Sequence, residues 1–99
     1  MSKRDEVLDL VTAAGWRVHG YQIDQVVAEW METNLQVDRM EEWIEVGCYD
    51  AASAFHLDNA GIEPRDTLIY DEDGRNLASR YANSDIRLEA VIATIKAHA

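Results

Sequence analysis

Three stretches of this sequence carry residue types that do chemistry elsewhere. Asp71-Glu72-Asp73-Gly74-Arg75-Asn76 has the texture of a calcium loop. Such a loop needs oxygen ligands at positions 1, 3 and 5, glycine at 6 and a bidentate glutamate at 12. With Gly74 as the sixth position, Asp71 and Asp73 fit, but Ile69 falls at the first and Arg80 at the twelfth. A cation stands where the bidentate ligand belongs, so the stretch predicts a turn. Cys48 and His56 are eight residues apart, and His19 and His98 lie elsewhere. Zinc sites want about four ligands with short paired spacings, which this chain lacks. Neither a metal nor another cofactor is expected, and Cys48 reads as a small buried hydrophobe.

Nucleophilic catalysis has a thin basis. Ser53 and His56 are three residues apart and could share a helix face, yet no glycine-rich elbow or oxyanion element surrounds Ser53. Neither a phosphate-binding loop nor a dinucleotide fingerprint occurs. The expectation is a chain that is not an enzyme. A small enzyme or enzyme subunit with a site assembled from scattered residues is the alternative.

The carboxylates carry more information. Formal net charge is −10 over 99 residues. Between Tyr21 and Asp73 there are fourteen acids against two bases, Arg39 and Arg65, and lysine is absent between Lys3 and Lys96. The ends are close to neutral. Glu29 and Glu32, Glu42 and Glu45, and Glu41 and Glu45 stand at helical neighbour spacings, where each like-charge pair costs about 0.2–0.5 kcal/mol. Glu45 and Asp58 sit near helix C-termini, where the helix dipole disfavours anions by about 0.3–1 kcal/mol. Penalties accepted this often point to a wanted negative surface. Glu29, Glu32, Asp38, Glu41, Glu42 and Glu45 are therefore the candidate partner-binding residues of a regulator or adaptor that docks a basic protein surface.

Other functions follow from the same charge. A nucleic-acid mimic would occupy the phosphate-binding cleft of a nuclease or surveillance complex, which makes a nucleic-acid-binding protein one candidate partner. A helix-turn-helix DNA binder at the Gly47 or Gly61 turn is a poorer fit, because phosphate contacts need lysine and arginine. Direct binding to nucleic acid or to an anionic membrane is disfavoured. Self-association into a homo-oligomer is compatible with the composition.

The elements that must position these residues are mostly helical. Ser2 caps a first helix over Lys3 to Ala14, with Gly15 as its stop, and Trp16 to Gln22 reads as extended or loop. Ile23, Val26, Val27, Trp30 and Met31 mark one face of a second helix. Asp38 opens a third with Glu41 as capping-box partner, Met40, Trp43 and Ile44 inward, and Gly47 as stop. Asp50 caps a fourth, carrying Ala51, Ala54, Phe55 and Leu57, that Gly61 ends and Pro64 blocks. Thr67 to Tyr70 and Leu77 to Tyr81 read as strands around Asp71–Gly74, a small β-hairpin near residues 67–81. Ser84 or Asp85 caps a last helix with Leu88, Val91, Ile92 and Ile95 inward.

Two segments echo each other. Trp43 to Asp50 and Leu57 to Pro64 both run apolar residue, three residues, glycine, apolar residue, polar residue, then a helix-starting type. The pattern resembles the short helix–glycine–helix units of small bacterial and phage-borne proteins.

The sum is a mainly α (α+β) fold of four to five short helices with one hairpin, spanning residues 1–99 as a single domain. Trp30 and Trp43 belong to its core, near Val27, Ile44, Leu8 and Val91, while Trp16 and the tyrosines Tyr21, Tyr49, Tyr70 and Tyr81 are candidates for a binding rim. One cysteine, a charged N-terminus and no long apolar run predict a cytoplasmic location.

Overall fold

The computed structural model describes residues 2–14 and 23–98. Gly15 as a helix stop, the Trp16–Gln22 segment, and the candidate rim residues Trp16 and Tyr21 all lie outside the described residues. Six α-helices and one 3-10 turn are found among the described residues: α1 (Lys3–Ala13), α2 (Ile23–Glu32), α3 (Val37–Glu45), α4 (Ala51–Asn59), the 3-10 turn (Pro64–Thr67), α5 (Leu77–Ala82) and α6 (Leu88–Ala97). The chain is mainly α. No helix is long and apolar enough to cross a membrane among the described residues.

Periodicity explains why α2 and α3 form. Each is amphipathic, and each buries its tryptophan: Trp30 with Val27 on α2, Trp43 with Met40 on α3. Trp30 is 1% exposed and Trp43 is 0% exposed. Val7 and Val11 of α1, Leu57 of α4, Leu77 of α5 and Val91 of α6 join the same cluster, with Leu8 and Ile44 packed against it. Helices of six to eleven residues are marginal alone, so this shared core holds them. α1 packs on α2 and α3, α2 on α4, and α5 joins α4 to the 3-10 turn and α6.

The echoed segments are two copies of one helix ending. After α3 the Gly47 N–H bonds the Ile44 carbonyl at 3.0 Å and the Cys48 N–H bonds the Trp43 carbonyl at 2.9 Å. After α4 the Gly61 N–H bonds Asp58 and the Ile62 N–H bonds Leu57, both at 3.1 Å. This is the left-handed C-terminal cap, which satisfies carbonyls the helix leaves unpaired. Gly47 has φ +94° and Gly61 φ +83°. A Cβ on Gly47 would meet nothing closer than 3.6 Å, so the backbone conformation, not crowding, requires glycine there. The apolar residues of the echo complete the motif, since buried Cys48 and Ile62 follow the glycines and buried Trp43 and Leu57 precede them.

A third ending of this kind uses the wrong residue. Beyond α5, Ser84 has φ +61°, with its N–H on Tyr81 at 3.1 Å and the Asp85 N–H on Arg80 at 2.8 Å. A side chain in this region costs about 1–2 kcal/mol, and glycine gives part of that back as chain entropy when unfolded. Ser84→Gly is therefore expected to stabilise by about 0.5–1 kcal/mol. Thermal unfolding measures it, and an unchanged or lowered Tm would refute it.

The small β-hairpin expected near residues 67–81 is not formed. The turn itself exists: the Gly74 N–H bonds Asp71 O at 3.0 Å, and Asp71 Oδ1 accepts from the N–H groups of Asp73 and Arg75, both at 2.9 Å. The chain doubles back and makes one bridge, Tyr70 to Asn76, and the ladder stops there. On one side Thr67 closes the 3-10 turn, its hydroxyl donating to Pro64 O at 2.6 Å. On the other side Asn76 caps α5, its Oδ1 accepting from the Ser79 N–H at 2.8 Å while its Nδ2 donates to Val46 O at 2.6 Å. Leu77-Ala78-Ser79-Arg80-Tyr81 is thus a helix, as alanine and arginine prefer.

Two expected caps are also displaced. Gln36, not Asp38, is the N-cap of α3, and Asp38 lies inside the first turn without the expected box to Glu41. Arg87, not Ser84 or Asp85, precedes α6. The caps at Ser2 and Asp50 are made as expected, with Ser2 accepting from the Asp5 N–H and Asp50 from the Ser53 N–H.

Candidate functional site

All six candidate acids are exposed, and five of them line concavities. Glu29 and Glu32, one helical turn apart on α2, line a concavity with Thr33, Asp50, Ala52 and Phe55, about 280 Å3 in volume. Glu42 and Glu45 line a second, about 320 Å3, on the side of α3 that faces the 3-10 turn. Asp38 borders a third with Lys3, Glu6, Gln36 and Val37. Glu41 stands exposed on α3 and lines none of these three. The acids thus line different concavities.

The second concavity is partly neutralised. Both cations of the acidic stretch, Arg39 and Arg65, line it together with Glu42, Glu45, Glu63, Val46, Pro64 and Leu68. Arg39 reaches Glu42 at 3.2 Å and, through Nε, Asp58 at 3.0 Å, and Arg65 pairs with Glu63 at 2.6 Å. Asp58 Oδ1 also accepts the indole N–H of fully buried Trp43 at 3.2 Å. The carboxylate that the sequence places awkwardly near the end of α4 is therefore held by a cation and a buried donor. Sequence reading missed this Trp43–Asp58–Arg39–Glu42 chain. Its one signal is an acid tolerated where the helix dipole opposes it.

The concavity between α2 and α4 is different. Glu29 receives a hydrogen bond of 3.4 Å from Gln25, and no ion pair among the described residues involves Glu29, Glu32 or Asp50. Asp50 is committed to its cap, with Oδ2 accepting from the Ser53 N–H at 3.1 Å and from the Ser53 hydroxyl at 2.6 Å. Thr33 is likewise committed, donating to Trp30 O at 2.6 Å. Phe55 is 40% exposed, an unusual setting for the only phenylalanine in the chain.

The remaining chemical candidates have structural occupations. The Ser53 hydroxyl donates its hydrogen bond to Asp50, while His56 faces Tyr81, whose hydroxyl lies 3.4 Å from Nδ1. Cys48 is fully buried, and burial together with the charge of Asp50 pushes its thiol up to about 12. Asp71 is held below the usual carboxylate range, first by the Arg75 N–H and then by the Asp73 N–H and the guanidinium of Arg80. A folded-state value below the unfolded one means that this turn contributes its stability at neutral pH. The contribution is lost as pH falls through the lowered value. Among the described residues no cluster of three or more histidine, cysteine or acidic side chains is arranged to hold a metal ion.

Comparison with known families, curated proteins and solved structures finds no match.

Proposed function

We propose that this chain is a non-enzymatic regulator or adaptor that docks a basic partner protein through the acidic surface of α2, α3 and the start of α4. One observation carries the reading: the acids around the α2–α4 concavity have no cationic partner among the described residues, whereas in the second concavity Glu42 and Glu63 are paired with Arg39 and Arg65. Carboxylates left unneutralised beside an exposed aromatic supply both the charge that speeds encounter and the apolar contact that slows release.

The test reverses the exposed, unpaired acids together, as Glu29→Lys, Glu32→Lys, Glu41→Lys and Glu45→Lys, sparing Glu42 because it holds Arg39. The partner is isolated by affinity capture at low salt and its binding measured by calorimetry. The reversal should weaken binding by at least about a hundredfold while stability is unchanged or slightly improved, because Glu45→Lys places a cation at a helix C-terminus. Native binding should also fade towards 1 M salt, where screening shortens to about 3 Å. Tight, salt-insensitive association that survives the reversal would sink the proposal.

A further inference from the structure

We infer that the concavity between α2 and α4 receives an arginine side chain of the partner, stacked on the Phe55 ring with its guanidinium shared between Glu29 and Glu32. The inference rests on the docking function proposed above and assigns that function its recognised side chain. Three features converge on this occupant. The hollow is lined by two exposed apolar residues, Ala52 and Phe55. Its rim bears Glu29 and Glu32, exposed and without an ion-pair partner among the described residues, with Asp50 adding a third negative charge.

The requirements on the occupant are therefore a flat apolar surface, a positive charge and several donors at once. Guanidinium meets all three, because it stacks on aromatic faces and presents a planar fork of N–H donors to carboxylates. An ammonium is more strongly hydrated and offers no plane, so lysine should satisfy the charge alone. A neutral apolar residue would leave the carboxylates desolvated and unpaired. The second concavity is a poorer receptor for the same group, since Arg39 and Arg65 line it and already pair with Glu42 and Glu63, leaving Glu45 alone unpaired there among the described residues.

The full chain is titrated with acetylated, amidated leucine-flanked peptides that differ at their basic positions, carrying arginine, lysine or uncharged citrulline. Backbone and Phe55 ring resonances are followed by NMR. The arginine peptide should bind at least about threefold more tightly than the lysine peptide, shift Glu29–Thr33 and Asp50–Phe55, and outdo citrulline by about tenfold or more. Phe55→Leu, which keeps the apolar lining but removes the ring, should erase the preference for arginine over lysine. Glu29→Gln with Glu32→Gln should weaken binding by about tenfold, whereas Glu41→Gln with Glu45→Gln should change it less than about twofold. Equal losses from both double variants, with shifts centred on α3, would overturn the α2–α4 assignment and leave the acidic docking function standing. An arginine preference that survives Phe55→Leu would overturn the stacking. Failure of every basic peptide to bind at low salt would overturn the assignment and the docking function together.

Discussion

Replacing Trp30 with alanine is expected to remove a large share of the fold's stability. Trp30 is 1% exposed, and with Val11, Ala14, Val26, Ile44 and Tyr49 it lines a space of only about 10 Å3. Truncation would enlarge that space by nearly a whole indole, which neighbours on α1, α2 and α3 cannot fill without giving up contacts of their own. Changes from tryptophan to alanine at such sites cost about 3–5 kcal/mol. A domain of this length has a total stability of about 5–15 kcal/mol, so the loss reaches most of the reserve at the lower end. Trp30→Phe keeps more of the volume and should cost less. Circular dichroism against temperature compares the two, and an alanine variant that melts with the native protein would exclude Trp30 from the core.

Asp58→Ala should cause the next largest loss, for a different reason. Removing the carboxylate leaves the Trp43 indole N–H without its acceptor inside the core and frees Arg39 from one of its two partners. A buried donor left unpaired costs about 1–3 kcal/mol. Against this, deleting an anion from the C-terminal end of α4 relieves the helix dipole by about 0.3–1 kcal/mol. The first effect wins, and Tm should fall by about 4–8 °C for each net kcal/mol lost. Asp58→Asn keeps an acceptor and should recover much of the loss. Equal stability of the alanine variant and the native chain would show that the Trp43–Asp58 bond contributes nothing.

What the sequence disclosed was local, and it was disclosed wherever one residue type has one strong use. The spacing of Val27, Trp30, Met40 and Trp43 marks the faces that are buried. Asp50 caps as expected because its carboxylate meets the Ser53 N–H within a single turn. The paired glycines mark two helix endings of the same geometry. The hairpin was misread at Asn76, a residue that serves turns and helix starts equally well. Once it accepts from the Ser79 N–H, Leu77 to Ala82 must coil instead of extend. The acidic surface was legible in content but not in arrangement. Spacing along one helix says which carboxylates are neighbours, whereas the division between the α2–α4 hollow and the partly paired hollow depends on how helices pack. The bond from Trp43 to Asp58 spans fifteen residues and has no local signature at all.

The burial of Cys48 gives the folded state a kind of chemical immunity that the open chain lacks. Thiolate, not thiol, attacks disulfides and alkylating reagents, and this sulfur is both inaccessible and, with its thiol pushed up to about 12, almost wholly protonated at neutral pH. Unfolding removes both protections at once, because an exposed thiol returns to an ordinary value near 8.5. Any oxidant then acts selectively on molecules that have opened. A chain captured that way as a mixed disulfide or a covalent dimer cannot bury Cys48 in the core again, so each opening under oxidising conditions carries a loss that lasts until the disulfide is reduced. Stability and redox lifetime are thereby joined through one atom.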